Sequence, residues 1–136
     1  MPLIKWDMIR HFKPAEFACR CGECGSTGDE MDMNFIFALD DLRERLGFPL
    51  VVTSGYRCPA YNNRIASTGH DGPHTTGRAV DFGISGENAF RVVTQASLGG
   101  WMRGIGINQK GPYEKRFIHL DDLEGPDHPR PRIWSY

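Results

Sequence analysis

A carboxylate stands inside an apolar run, Ala79-Val80-Asp81-Phe82-Gly83-Ile84, and an imidazole stands inside another, Phe117-Ile118-His119-Leu120. The first run alternates as a short strand does, with Ala79, Asp81 and Gly83 on one side and Val80, Phe82 and Ile84 on the other. Burying an ionised group in such a strand is costly unless it is paired or holds a cation. The fold must therefore bring partners to Asp81 and His119. His74 is a candidate, because Thr75-Thr76-Gly77 can turn the chain back so that a loop histidine and a strand carboxylate face a common point. Two imidazoles and one carboxylate, with a fourth position open, make a catalytic zinc set, and this donor mix suits zinc better than calcium or magnesium. On the residues alone, a hydrogen-bonding surface histidine at 74 and a satisfied core histidine at 119 remain alternatives.

The rest of the pattern supplies a scaffold. Met33, Phe35, Ile36, Leu39, Leu42 and Leu46 recur at three- and four-residue steps, giving a helix over residues 31–46 with one apolar face and a solvated charged side. Asp32 suits its start, Arg43 and Arg45 its end, and Gly47 followed by Pro49 stops it. Residues 50–53 form a β-branched strand running into Ser54-Gly55-Tyr56-Arg57, a turn that presents Arg57 at the strand end. A short helix is expected over 61–66, a strand over 78–84, and a helix over 86–98 with Phe90, Val93 and Ser97 as its stripe. Strands follow over 104–107 and 116–120, and the Pro- and charge-rich tail ends in Ile133-Trp134-Ser135-Tyr136 with no element assigned. Phe12 and Phe17 read as core anchors, and Pro14 as the start of a helical turn. Helices with mostly adjacent strands imply an α+β fold with a small, mostly antiparallel sheet and flanking helices.

At 136 residues the chain reads as a single domain, 1–136, whose first 30 residues form an irregular segment with a cysteine cluster. A net charge of −1 with no basic block gives nucleic-acid binding no electrostatic support. No apolar run is long enough to span a membrane. The N-terminal stretch Met1-Pro2-Leu3-Ile4-Lys5-Trp6-Asp7 lacks the apolar core of an export leader, so synthesis in the cytoplasm and release by another route are expected. Cys19, Cys21, Cys24 and Cys58 can build a four-sulfur structural zinc site, form a disulfide involving Cys58, or remain thiols.

Three pieces, Ser54-Gly55-Tyr56-Arg57, His74-x-x-Gly77-x-Ala79-x-Asp81 and Ile118-His119-x-Asp121, resemble the M15 family of zinc D-Ala-D-Ala carboxypeptidases and related peptidoglycan endopeptidases, and occur in that family's order. The N-terminal Phe-x-x-x-Glu-Phe, the helix around Leu39 to Leu46 and the closing Arg132-Ile133-Trp134 are similar to its smaller, often phage-associated branch. The resemblance implies a hedgehog-like α+β fold, His74, Asp81 and His119 as zinc ligands, and hydrolysis of a peptide bond in peptidoglycan stem peptides by a water activated at the metal. It also implies action on the cell wall as a lysis or virion-associated enzyme; a monomer is expected.

Arg57 is the expected electrophilic helper, since a fixed guanidinium can clamp a carbonyl or carboxylate; a structural salt bridge is its other reading. The general base is harder to place. Related enzymes often carry an acid or a second histidine shortly before the last ligand, where this chain has Arg116 and Phe117. Asp121, on the same strand face as His119, ranks first, with orientation of a histidine as its alternative role, and Glu114 second. Pro73 stands where relatives often have Ser, which tunes the loop. His11 reads as structural, and His70 and His128 as surface residues, with His70 also able to line the cleft. Tyr56, Trp101 and Trp134 read as core or as pocket wall. Two other functions remain open: an inactive zinc-stabilised binding domain, and a small interaction module centred on the cysteines.

Overall fold

The computed structural model describes residues 6–136; residues 1–5, which open the stretch read for an export leader, lie outside them. Five strands form one sheet: β1 (Val51–Ser54), β2 (Ala79–Gly83), β3 (Gly104–Asn108), β4 (Phe117–Asp121) and β5 (Arg132–Ser135), in the order β1-β2-β4-β3-β5. Every neighbouring pair is antiparallel except β3 and β5, which run parallel. Three helices flank the sheet: α1 (Met33–Leu46), α2 (Pro59–Ile65) and α3 (Gly86–Ser97). This is the α+β arrangement that the pattern implies.

The sheet divides its side chains between core and site. Val80, Phe82, Ile105, Ile118 and Leu120 alternate onto the core face and pack with Phe35, Ile36 and Leu39 of α1. Phe12 and Phe17 join this core, with ring centroids 5.5 Å apart in an edge-to-face pair. On the opposite face, Asp81 stands beside His119, His119 beside Gly106, and Gly106 beside Trp134. The next row on that face brings together Ala79, Asp121, Gly104 and Arg132.

α1 begins where a side chain supplies the missing acceptor: the Asp32 carboxylate takes the Phe35 N–H at 3.0 Å. It ends at Gly47, whose N–H reaches the Arg43 carbonyl at 3.2 Å. Its polar side is not uniformly solvated. Asp40 is buried and accepts the backbone N–H groups of Arg10 (3.0 Å) and His11 (2.9 Å), together with Arg10 Nε (3.2 Å). The N-terminal segment is thereby fastened to the helix.

α3 differs from the expected stripe. Its buried residues are Ala89, Val92 and Ala96, while Phe90 is 69% exposed. α3 packs against both α1 and β4, and small side chains let a helix approach two neighbours closely. Phe90, one residue on from Ala89, falls about 100° around the helix from that stripe, so the largest apolar residue of the helix does not mark its inner face. The parallel strand β5, built from the unassigned C-terminal residues, is the other departure.

Candidate metal centre

His74 lies in a single helical turn, Pro73–Thr76, between α2 and β2, and the chain then enters β2 to place Asp81. The antiparallel register sets Asp81 opposite His119 on β4. His74 Nε2 lies 3.2 Å from Asp81 Oδ1, and His119 Nδ1 lies 3.0 Å from the same oxygen. All three residues are buried, and one ligand atom from each falls within 4.8 Å of the others.

The far side of each imidazole is committed. His74 Nδ1 donates to the Gly55 carbonyl at 2.8 Å, which leaves the lone pair on Nε2. His119 Nε2 donates to Asp121 Oδ2 at 2.8 Å, which leaves the lone pair on Nδ1. Two lone pairs and a carboxylate oxygen therefore converge on one point, which is the donor set and orientation that a zinc ion requires. Burial alone would raise the Asp81 carboxyl, but the two imidazoles beside it, His74 and His119, hold it well below the ordinary range. Burial likewise works against a charged His119, yet the carboxylates of Asp121 and Asp81 on either side of the ring raise its pKa. His74, Asp81 and His119 could together hold a metal ion.

Arg57 closes one side. Its Nη2 lies 3.3 Å from Asp81 Oδ2, Nε donates to Ser54 Oγ at 2.9 Å, and Nη1 donates to Asn62 Oδ1 at 3.0 Å. Asn62 has no exposed surface and bonds onward to Thr68 Oγ1 at 2.8 Å, so the guanidinium is held in a single orientation.

Asp121 also has no exposed surface. The Arg130 guanidinium grips it with two parallel bonds, Nε to Oδ1 at 2.9 Å and Nη2 to Oδ2 at 2.8 Å. Burial would raise this carboxyl; Arg130 first and His119 second hold it well below the usual value. Gly104 makes the grip possible, because a Cβ there would collide with both the Asp121 carboxylate and Arg130 Nε. At Gly106 a Cβ would meet Trp134 Nε1 at 2.7 Å, and its absence lets the indole lean over His119, with ring centroids 5.2 Å apart.

An open cleft of about 710 Å³ lies over the centre, a size suited to a ligand of a few residues. His74, Asp81, His119 and Arg57 lie on its floor and wall, with Trp134, Tyr136, Asp71, Asp127 and His128 around them. Neither Asp121 nor Glu114 lines it. His128 Nε2 donates to the Asp71 carbonyl at 3.2 Å. Trp101 is 62% exposed and away from the cleft, Tyr56 packs against the core, His11 pairs with Glu44, and His70 borders the cysteines instead.

The four cysteines are free thiols gathered at a second place, their sulfurs all within 4.8 Å of one another. The Glu23 N–H draws the Cys21 thiol down to about 6, and Cys24, which donates to the Cys21 sulfur, is pushed up to about 12. Sequence reasoning missed Arg130, Asn62 and His128 as parts of the site. Arg130 had one available signal: a carboxylate at 121 on a buried strand demands a cation, and few arginines follow it.

A family model described as Peptidase M15 matches residues 10–121 of the chain. No curated protein matches it at significant similarity.

Proposed function

The chain belongs to the peptidase M15 family, and from that membership we propose that it hydrolyses a peptide bond next to a D-amino acid in peptidoglycan stem peptides, with a zinc ion held by His74, Asp81 and His119. The observation that carries this reading is the convergence of His74 Nε2 and His119 Nδ1 on Asp81 Oδ1 beneath an open cleft. M15 peptidases are zinc-dependent, and no helix among the described residues is long and apolar enough to cross a membrane.

When bound, zinc lowers the pKa of water towards about 7 and polarises the scissile carbonyl. The protein's groups do the rest. The Gly55 carbonyl and the Asp121 carboxylate hold the two ring protons on the sides away from the metal position, so that both lone pairs stay aimed inward. Asp121 therefore acts as an orienting group, itself locked by Arg130. Arg57, anchored by Ser54 and Asn62, steadies Asp81 and offers its cleft-facing edge to a substrate carbonyl or carboxylate. Trp134 forms an apolar wall that excludes water beside His119.

Proton transfer falls to the rim of the cleft. His128 is the residue we assign: its Nε2–H is committed to the Asp71 carbonyl, which leaves Nδ1 as an acceptor, and it sits two residues before the fixed Arg130. Action at the cell wall follows from the substrate proposed.

The test is mass spectrometry of purified peptidoglycan after digestion. Zinc-loaded protein is expected to release fragments with new termini in the stem peptide, chelation to stop it, and added zinc to restore it. Fragment masses separate loss of a terminal D-amino acid from cleavage within a cross-link. Zinc-loaded protein that binds wall fragments and leaves them intact would overturn the peptidase reading in favour of a binding domain.

A further inference from the structure

Cys19, Cys21 and Cys24 lie in the irregular segment after Phe17, and Cys58 stands at the entry to α2. Chain segments 34 residues apart thus place four sulfurs in one cluster. Cys58 Sγ lies 3.9 Å from Cys21 Sγ, and no two of the four sulfurs are farther apart than 4.8 Å. Four sulfurs bound to one zinc at about 2.3 Å stand about 3.8 Å from each other at the corners of a tetrahedron. A disulfide would instead draw two sulfurs to about 2.0 Å and leave the other pair without a role.

The surroundings are those of a thiolate cage. The Cys58 N–H points at Cys19 Sγ (3.3 Å) and the Glu23 N–H at Cys21 Sγ (3.4 Å). Amides directed at sulfur stabilise its charge and fix its direction, as outer partners do for metal ligands. Soft sulfur donors in a four-fold set select zinc over the oxygen-seeking cations.

We propose that these four cysteines hold a second, closed structural zinc ion that clips the N-terminal segment to the turn carrying Arg57. The need for a clip is visible. No helix or strand forms between Phe17 and Met33. At its two ends the segment is tied by backbone bonds, the Phe17 carbonyl to the Tyr56 N–H at 2.8 Å and the Asp32 N–H to the Gly77 carbonyl at 2.9 Å, with Met31 in the core; near the cysteines the Arg20 guanidinium reaches the Val52 carbonyl at 3.1 Å.

The same turn links the two metal positions. Residues 55–58 run in order from the acceptor of His74 (Gly55 O), through Arg57, to the cysteine cluster. The Arg57 N–H also donates to the His74 carbonyl at 3.0 Å. A metal on Cys58 therefore fixes the backbone that orients His74 and presents Arg57. The sulfur site stands whatever the catalytic site does; only its effect on Arg57 rests on the peptidase reading.

Metal and thiol counts on the full-length protein provide the test. Elemental analysis is expected to give about two zinc ions per chain in the wild type, and about one in either Cys21→Ser/Cys24→Ser or His74→Ala/His119→Ala. Cobalt substituted into the histidine double variant should show the intense near-ultraviolet band of sulfur-to-metal charge transfer, and this band should be missing from the cysteine variant. Thiol titration of the wild type, denatured with chelator and without reductant, should return all four cysteines. If the cysteine variant does not fold, the cobalt spectrum of the histidine variant and the thiol titration still decide the matter. A histidine variant with no zinc and no charge-transfer band, or a titration short by two thiols, would overturn the proposal. Peptidoglycan cleavage enters none of these readouts, so a failed peptidase assay is distinguishable from a failed sulfur site.

Discussion

Replacing Asp121 by Asn separates an orienting carboxylate from a catalytic base. Asp121 is wholly buried and accepts from His119 Nε2 at 2.8 Å, Arg130 Nε at 2.9 Å, Arg130 Nη2 at 2.8 Å and the Leu123 N–H at 3.3 Å. Asn keeps the volume but has one acceptor oxygen, and its NH2 must point at some of these donors. If the NH2 meets Arg130, a buried guanidinium loses its partner. If it meets His119, the imidazole loses the acceptor that keeps its proton on Nε2. Either way a charge-assisted bond is lost, costing about 1.5–3 kcal/mol of stability. Zinc affinity should fall about 10–100-fold, the usual effect of removing a carboxylate behind a ligating histidine. Competition against a chromophoric chelator measures that affinity. Hydrolysis is then measured at zinc concentrations that saturate the variant, where turnover should stay within about 10-fold of wild type. Unchanged affinity with turnover down about 10²–10⁴-fold, the signature of a lost general base, would refute this reasoning.

His128→Gln should lower turnover at saturating zinc by about 10²-fold or more with zinc content unchanged, as measured by wall-digestion rates beside metal analysis. Asp40→Asn should cost about 1.5–3 kcal/mol in denaturant unfolding. Burial would raise the Asp40 carboxyl, but the N–H groups of Arg10 and His11 and the Arg10 side chain hold it below the usual value. Its stabilisation is therefore complete above the unfolded value of about 3.9 and is lost as pH falls through the lower folded value, so the gap between variant and wild type should close only in strong acid. Val92→Ala should destabilise by about 2 kcal/mol while Phe90→Ser changes stability by less than about 0.5 kcal/mol, reversing what side-chain size alone suggests.

The parts of this molecule that sequence reveals are those whose constraint is local. Asp81 and His119 stand out because each interrupts an apolar strand, and α1 stands out because its apolar residues recur around an Asp32 cap and a Gly47 stop. What stayed hidden depends on distant partners. Nothing in the spacing of residues 132–135 says that they pair parallel to β3, since that pairing is set by a proline-rich connection folding back across the sheet edge. Arg130 becomes part of the site only because Gly104 and Asp121, neighbours across β3 and β4, leave room for its guanidinium. Asp121 illustrates the difference: strand alternation places it on the His119 face, but only the fold shows that Arg130 grips it and that it does not line the cleft. The inner face of α3 was obscured for a related reason: its contacts with α1 and β4 are made by Ala89, Val92 and Ala96, which carry a weaker apolar signal than the exposed Phe90.

The account's central claim is that one turn and two strands aim two nitrogens and an oxygen at a single cation. Anomalous diffraction at the zinc edge, from crystals of protein shown to be active in solution, tests it directly. The expected result is a peak about 2.0–2.2 Å from His74 Nε2, His119 Nδ1 and a carboxylate oxygen of Asp81. An active, zinc-loaded crystal with no anomalous density among those three atoms would contradict it.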